Sequence, residues 1–154
     1  MNRCTTSNRF AIAALAVIAL GVAPTAKAEH NKGCSNASLK GTFSHMATGF
    51  ITTPPAMAGP EAGVGTDTFD GNGASTGAAT LSLNGSIIPL VTTGTYTVNP
   101  DCTGTYTILA LGGTIRLAIV ITDGGNEIQA ICVDAGIVQT HIFRRQYPVG
   151  DWRQ

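Results

Sequence analysis

Short turns built from glycine, asparagine and aspartate punctuate the chain from residue 70 onward. They are Asp70-Gly71-Asn72-Gly73, Asn84-Gly85, Asn99-Pro100-Asp101, Gly112-Gly113, Asp123-Gly124-Gly125-Asn126 and Ala135-Gly136. Gly and Asn accept positive φ at little cost, so such pairs close hairpins. The segments between them are rich in Thr, Val, Ile and Ala. The central unit, TTGTYTVNPDCTGTY at 92–106, reads as strand, tight turn and strand, with Cys102 in the turn.

This punctuation predicts eight strands, at 39–52, 64–69, 74–83, 87–98, 105–111, 114–122, 127–134 and 137–145. Connections this short force sequential neighbours to pair antiparallel. An open sheet of eight would expose two edges, and closure removes them. The expected fold is therefore all-β, an eight-stranded antiparallel up-and-down barrel whose interior is filled by side chains or holds a small ligand. A sandwich is the competing architecture. Pro54, Pro55 and Pro60 mark 53–63 as a loop, the longest connection and a candidate lid or rim.

Upstream lies a different kind of segment. Arg3 and Arg9 precede the uninterrupted apolar run 10–22, followed by Pro24 and the small-x-small triplet Ala26-Lys27-Ala28. That order is a secretory signal peptide, expected at residues 1–28. Its 13 apolar residues fall short of the about 20 that span a bilayer. No stable membrane anchor is expected after cleavage, and the protein is expected to be exported to the periplasm or beyond. The barrel domain then occupies 29–145 and a C-terminal tail 146–154, with Pro148 and the single tryptophan, Trp152.

Cleavage after Ala28 leaves six basic residues against nine acidic ones, a net charge of −3. No basic patch is available for nucleic acid. Three cysteines stay with the domain: Cys34, Cys102 and Cys132. In an oxidising compartment one bridge and one leftover thiol are expected. Cys34 and Cys102 sit in polar turn segments where chain ends can meet, whereas Cys132 lies in an apolar run and reads as a buried strand residue. Three free thiols are the alternative. No pair of cysteines has metal-ligand spacing, so no metal and no cofactor is expected.

Several motifs carry a resemblance. Cys34-Ser35-Asn36-Ala37-Ser38-Leu39-Lys40-Gly41-Thr42-Phe43 is followed by Phe69-Asp70-Gly71-Asn72-Gly73, Gly94-Thr95-Tyr96-Thr97-Val98-Asn99 and Asp101-Cys102-Thr103-Gly104-Thr105. Together they resemble bacterial exported proteins with an allene oxide cyclase barrel-like, calycin-type domain, over nearly all of 34–145. The resemblance implies an eight-stranded barrel with a central cavity. It also implies pairing of the cysteines at Cys34 and Cys102, with Cys132 a departure. The plant enzymes of that type cyclise a fatty-acid epoxide in an apolar barrel with a few polar groups. None of those groups matches a position here, and fold alone does not carry the activity across.

His45 and His141 lie on the first and last predicted strands, which become neighbours on closure. Facing one lumen, they form an acid–base or ligand-orienting pair. The alternative is two unrelated, half-exposed histidines, because a one-residue slip reverses each face. Arg116 interrupts the apolar strand 114–122: inward it would hold a ligand carboxylate, outward it solvates a face, and charges are rarely buried unpaired. Tyr96 and Tyr106 offer hydroxyls to a ligand or serve as packing. Asp67, Asp70 and Asn72 outline a sparse calcium loop but lack the alternating ligands of an EF-hand, and read as a turn. Arg144-Arg145 reads as a solvated rim.

Three functions follow. The first is an exported barrel binding a small apolar or amphipathic ligand in its lumen. The second is a cofactor-free cyclase or isomerase, which requires two titratable side chains converging in the cavity. The third is a structural or interaction module of the envelope; a homo-oligomer is compatible with all three.

Overall fold

The structure is a computed structural model describing residues 33–147. The expected signal peptide and most of the tail, Trp152 included, lie outside them. Eight strands run β1 (Gly41–Ile51), β2 (Gly59–Phe69), β3 (Ala74–Leu83), β4 (Ser86–Val98), β5 (Thr103–Ala110), β6 (Gly113–Thr122), β7 (Glu127–Cys132) and β8 (Ile137–Arg145). They form a closed barrel in sequence order, every pair antiparallel. The seam joins β1 to β8, with His45 opposite Phe143 and Ala47 opposite His141.

Turn chemistry sets these boundaries. Asn84 and Gly85 both take positive φ, 47° and 84°, the backbone that a two-residue hairpin needs to match strand twist. In the β2–β3 turn, Asp70 Oδ1 accepts the backbone N–H groups of Asn72, Gly73 and Ala74. The three donors converge on that one oxygen and fold the segment into a turn. Asp67, six residues before Gly73 in sequence, lies inside β2 and faces the lumen.

The segment 53–63 is not a single loop, because β2 begins at Gly59 and contains Pro60, paired with Phe50. Pro60 is the second residue of the strand and faces out, where a missing N–H is tolerated. This correction brings Glu61 into the barrel wall.

Side chains alternate strictly across the wall, as a period of two requires. The lumen has two levels. At the end where β1 starts, Phe43, Phe69, Tyr106 and Phe143 are fully buried, and Leu39 from the short 3-10 turn Asn36–Leu39 plugs the opening beneath them. Phe69 meets Phe43 at 5.4 Å and Tyr96 at 5.1 Å, both edge to face. Such contacts add about 0.5–1.5 kcal/mol each beyond the area they bury. At the other end Leu90, Ala110, Ile115 and Ile137 are half-buried, so this end is the more open.

The closed end is tied down covalently and by charge. Cys34 and Cys102 form a disulfide across a separation of 68 residues, with Cα atoms 4.9 Å apart. Cys132 is a free, buried thiol. Arg145 is not a solvated rim residue. Its guanidinium donates to the carbonyls of Ser38 (3.1 Å), Gly125 (2.9 Å) and Lys40, and lies 4.5 Å over the Phe43 ring. Arg144 does face outward and pairs with Glu127 at 2.9 Å.

Candidate functional site

Between the aromatic plug and the open end, polar side chains line one side of the lumen. His45 on β1 and His141 on β8 both face inward. His45 Nε2 lies 2.9 Å from His141 Nδ1. From there a row of contacts runs both ways. His45 Nδ1 is 3.0 Å from Asp67 Oδ2. Asp67 Oδ1 accepts the Tyr106 hydroxyl at 3.2 Å, and that hydroxyl meets Ser75 Oγ at 2.8 Å. In the other direction His141 Nε2 is 3.3 Å from Gln139 Oε1, and the Gln139 amide nitrogen donates to Glu61 Oε1. Glu61, Asp67, Gln139 and His141 are each less than a tenth exposed.

The strands explain the alignment. Glu61 and Asp67 are six residues apart on β2, and Gln139 and His141 two apart on β8, so each pair shares a face. Gly49 of β1 stands opposite both Glu61 and Gln139. With no side chain there, the carboxylate and the amide meet across β1. Glycine also makes room deeper down. A Cβ at Gly77 would sit 2.5 Å from Asp67 Oδ1 and 2.6 Å from Thr92 Oγ1, and one at Gly94 would sit 2.5 Å from the Tyr106 ring.

The row borders a cavity of about 70 Å³, whose apolar wall includes Ala47, Gly63, Ala79, Leu81, Leu90 and Ile115. A single water needs about 10–15 Å³ of such space, and drug-sized ligand sites run to about 300–1,000 Å³. The lumen therefore takes a small molecule, or one end of a longer one that leaves through the open end. Glu61, Asp67, His45, Gln139 and His141 all touch this space. No Lys or Arg is among the residues that line it.

Burial sets the electrostatics. Desolvation, with a smaller push from His45, lowers the pKa of His141 from 6.5 to about 4, so this ring is neutral at physiological pH. Desolvation raises the Glu61 carboxyl, and the bond from Gln139 pulls it part of the way back. Burial, reinforced by the charge of Asp67, raises the Tyr106 phenol, which stays a hydroxyl donor. Burial also raises the Cys132 thiol, so it is not a ready nucleophile.

Of the five candidate ligand-contacting residues, the structure brings His45, His141 and Tyr106 into one network. Tyr96 is elsewhere. Its hydroxyl accepts the Gly71 N–H at 2.8 Å at the plugged end and braces the turn. Arg116 points outward and pairs with Asp134 at 2.7 Å, its side chain 64% exposed, so it holds no lumenal carboxylate. An unpaired guanidinium in the lumen would have carried a desolvation cost that the outer face avoids. Glu61, Ser75, Thr92 and Gln139 are site residues that the sequence reading does not single out, and Asp67, read there as part of a sparse calcium loop or turn, belongs to the lumenal row. The alternation Glu61-x-Gly63-x-Gly65-x-Asp67 was the available signal, masked by reading the prolines as a loop.

No protein-family model and no curated protein matches the chain. Two solved structures share its fold. One is a redesigned β-barrel, mFAP1, bound to DFHBI: 18% identical, TM-score 0.50, covering 71% of this chain and 97% of that one. The other is EF1p2_mFAP2b bound to DFHBI: 15% identical, TM-score 0.52, covering 75% and 98%. At these identities the likeness is one of fold.

Proposed function

We propose that this chain is an exported barrel that takes a small, electrically neutral, amphipathic molecule in its lumen. The apolar part lies against Ala47, Ala79, Leu81 and Leu90, and the polar group meets the row from Glu61 to Asp67. The observation that carries this reading is the cavity itself, apolar on one side and hydrogen-bonding on the other. Two barrels of the same fold bind DFHBI, which supports a ligand-holding lumen. Neutrality follows from the lining: two carboxylates and no Lys or Arg make an anion costly there. Export rests on the signal-peptide order of residues 1–28, and kinship with allene oxide cyclase barrel-like proteins rests on the turn and cysteine motifs.

Calorimetric titration at pH 7 with hexan-1-ol, hexanamide and hexanoate tests the binding reading. The two neutral compounds bind, hexanoate binds at least about tenfold more weakly, as a charge held without a partner requires, and Ala47→Leu weakens binding by filling the slot. Equal binding of hexanoate, or full binding by the Ala47→Leu protein, would sink it.

A second reading, a cofactor-free isomerase or cyclase, is favoured by one observation. Four titratable side chains, His45, Glu61, Asp67 and His141, converge on one cavity. It predicts that the protein speeds exchange of the α-hydrogens of hexan-2-one with deuterium oxide. A rate equal to that of buffer alone would remove it.

A further inference from the structure

The row from Glu61 to Asp67 has one hydrogen too few if every group in it takes its ordinary neutral-pH form. It contains four contacts: Glu61 to Gln139, Gln139 to His141, His141 to His45, and His45 to Asp67. Each contact needs one hydrogen between its two heavy atoms. Ionised carboxylates at both ends supply none. Each neutral imidazole supplies one, and the Gln139 amide supplies one, because its oxygen faces one neighbour and its nitrogen the other. Three hydrogens cannot serve four contacts. Without a fourth, two acceptors are pressed together at one of the four contacts, for instance two imidazole nitrogens at 2.9 Å or His45 Nδ1 against the Asp67 carboxylate at 3.0 Å.

With His141 held neutral by burial, a fourth hydrogen completes the row in two ways that contain the same number of protons. In the first, Glu61 is ionised and accepts from the Gln139 nitrogen. The Gln139 oxygen accepts from His141 Nε2, His141 Nδ1 accepts from His45 Nε2, and the additional proton sits between His45 Nδ1 and Asp67. In the second, Glu61 is protonated and donates to the Gln139 oxygen. The amide is turned over and donates to His141 Nε2, His141 Nδ1 donates to His45 Nε2, and His45 Nδ1 donates to an ionised Asp67.

We propose that Glu61 and the His45–Asp67 pair share a single proton, and that the polar group of the lumenal ligand decides which end holds it. This deepens, and rests on, the binding reading above. Glu61 lines the cavity, and Gln139 engages only its Oε1. A ligand that only accepts, such as a ketone, favours protonated Glu61 and leaves the deep pair with a neutral His45. A ligand that only donates, such as a pyrrole N–H, favours ionised Glu61 and sends the proton to His45–Asp67. The site thus receives both hydrogen-bonding polarities with one set of side chains, and translates the choice into the charge of His45.

The surroundings fit both ends of this exchange. The Phe143 ring is stacked 4.1 Å from His45 and offers its π face when His45 is a cation. His141, between the two ends, is the imidazole that burial keeps neutral, and burial favours the acid form of Glu61.

Side-chain NMR of the full barrel, labelled with 15N and 13C, tests the proposal. In the ligand-free protein at pH 7, the protonated fractions of Glu61 (carboxyl 13C) and of the His45–Asp67 pair (imidazole 15N, Asp67 carboxyl 13C) sum to one. Hexan-2-one and pyrrole then move the His45 15N signals in opposite directions, and Glu61→Gln, a substitution of the same shape, abolishes that opposition. Three results would overturn the proposal: both ends without the proton, both ends with it, or His45 shifts of the same sign for the two ligands. Binding is read separately from the methyl shifts of Ala47 and Ala79, so failure of the binding reading is distinguishable from failure of the shared proton.

Discussion

His45 Nε2 and His141 Nδ1 lie 2.9 Å apart across the seam where the first strand meets the last, although 96 residues separate them in the chain. This contact exists only because the barrel closes in the observed register. It makes closure and the candidate site one structural event.

The burial of this pair predicts a pH dependence of stability. His141 is faced by His45, Glu61 and Asp67, and by Gln139 on its own strand. Its pKa is about 4 in the fold against 6.5 for the free side chain. Between those values the unfolded chain takes up a proton that the fold refuses, so stability falls as pH drops from 6.5 towards 4, by about 3 kcal/mol. Glu61 has the opposite sign: its raised pKa means that its contribution is lost as pH rises through the folded value. Urea unfolding across this range is expected to show the acid loss, His141→Gln to flatten it, and Glu61→Gln to stabilise the protein at neutral pH.

Glycine spacing predicts a contrast between two alanine substitutions. At Gly77 a Cβ would meet Asp67 Oδ1 at 2.5 Å and the Thr66 carbonyl oxygen at 2.7 Å, whereas at Gly63 the nearest atoms are 3.6 Å away. Gly77→Ala is expected to destabilise by about 1–3 kcal/mol through overpacking. Gly63→Ala is expected to be neutral or stabilising by up to about 1 kcal/mol while narrowing the slot. Chemical denaturation of both proteins checks the contrast.

Much of the barrel was legible because its information is local. Asn84-Gly85 closes its hairpin by backbone chemistry alone, and alternation assigns each strand two faces; the expected Gly112-Gly113 turn lies one residue earlier, at Leu111 and Gly112, which both take positive φ, and Gly113 opens β6. Register was not legible, and the site depends on it. Nothing in the sequence around His45 states that Gly49 lies between Glu61 and Gln139. Glu61 was hidden for a second reason. Prolines that commonly end a strand here precede one and begin it. Arg145 looked like a rim residue because its partners are backbone carbonyls of Ser38 and Gly125, which carry no mark in the sequence.

Arg145 and Arg116 predict unequal losses. Arg145→Met removes donors from three backbone carbonyls at the plugged end and is expected to cost about 3 kcal/mol. Arg116→Ala breaks an exposed pair with Asp134, is expected to cost less than about 1 kcal/mol, and leaves ligand binding unchanged. Thermal unfolding and a hexan-1-ol titration of each protein separate the two.

Removing the disulfide frees a loop of 68 residues in the unfolded chain. Cys34→Ser with Cys102→Ser is expected to lower stability by about 4 kcal/mol in the chain-entropy account. The loss should fall on the plugged end, where Asn36 Oδ1 accepts the Val98 N–H at 2.8 Å. Hydrogen exchange at Val98 and Tyr96 is expected to accelerate before exchange at Ala47.

The central claim is that the lumen, rather than the outer surface, receives a neutral molecule. The most direct measurement is a hexan-1-ol titration followed by methyl and imidazole NMR. Saturable shifts at Ala47, Ala79, Leu81, Leu90 and the His45 ring, with Val64 and Val138 on the outer face unmoved, are the predicted result. Lumenal signals that stay fixed while the outer valines shift would contradict it.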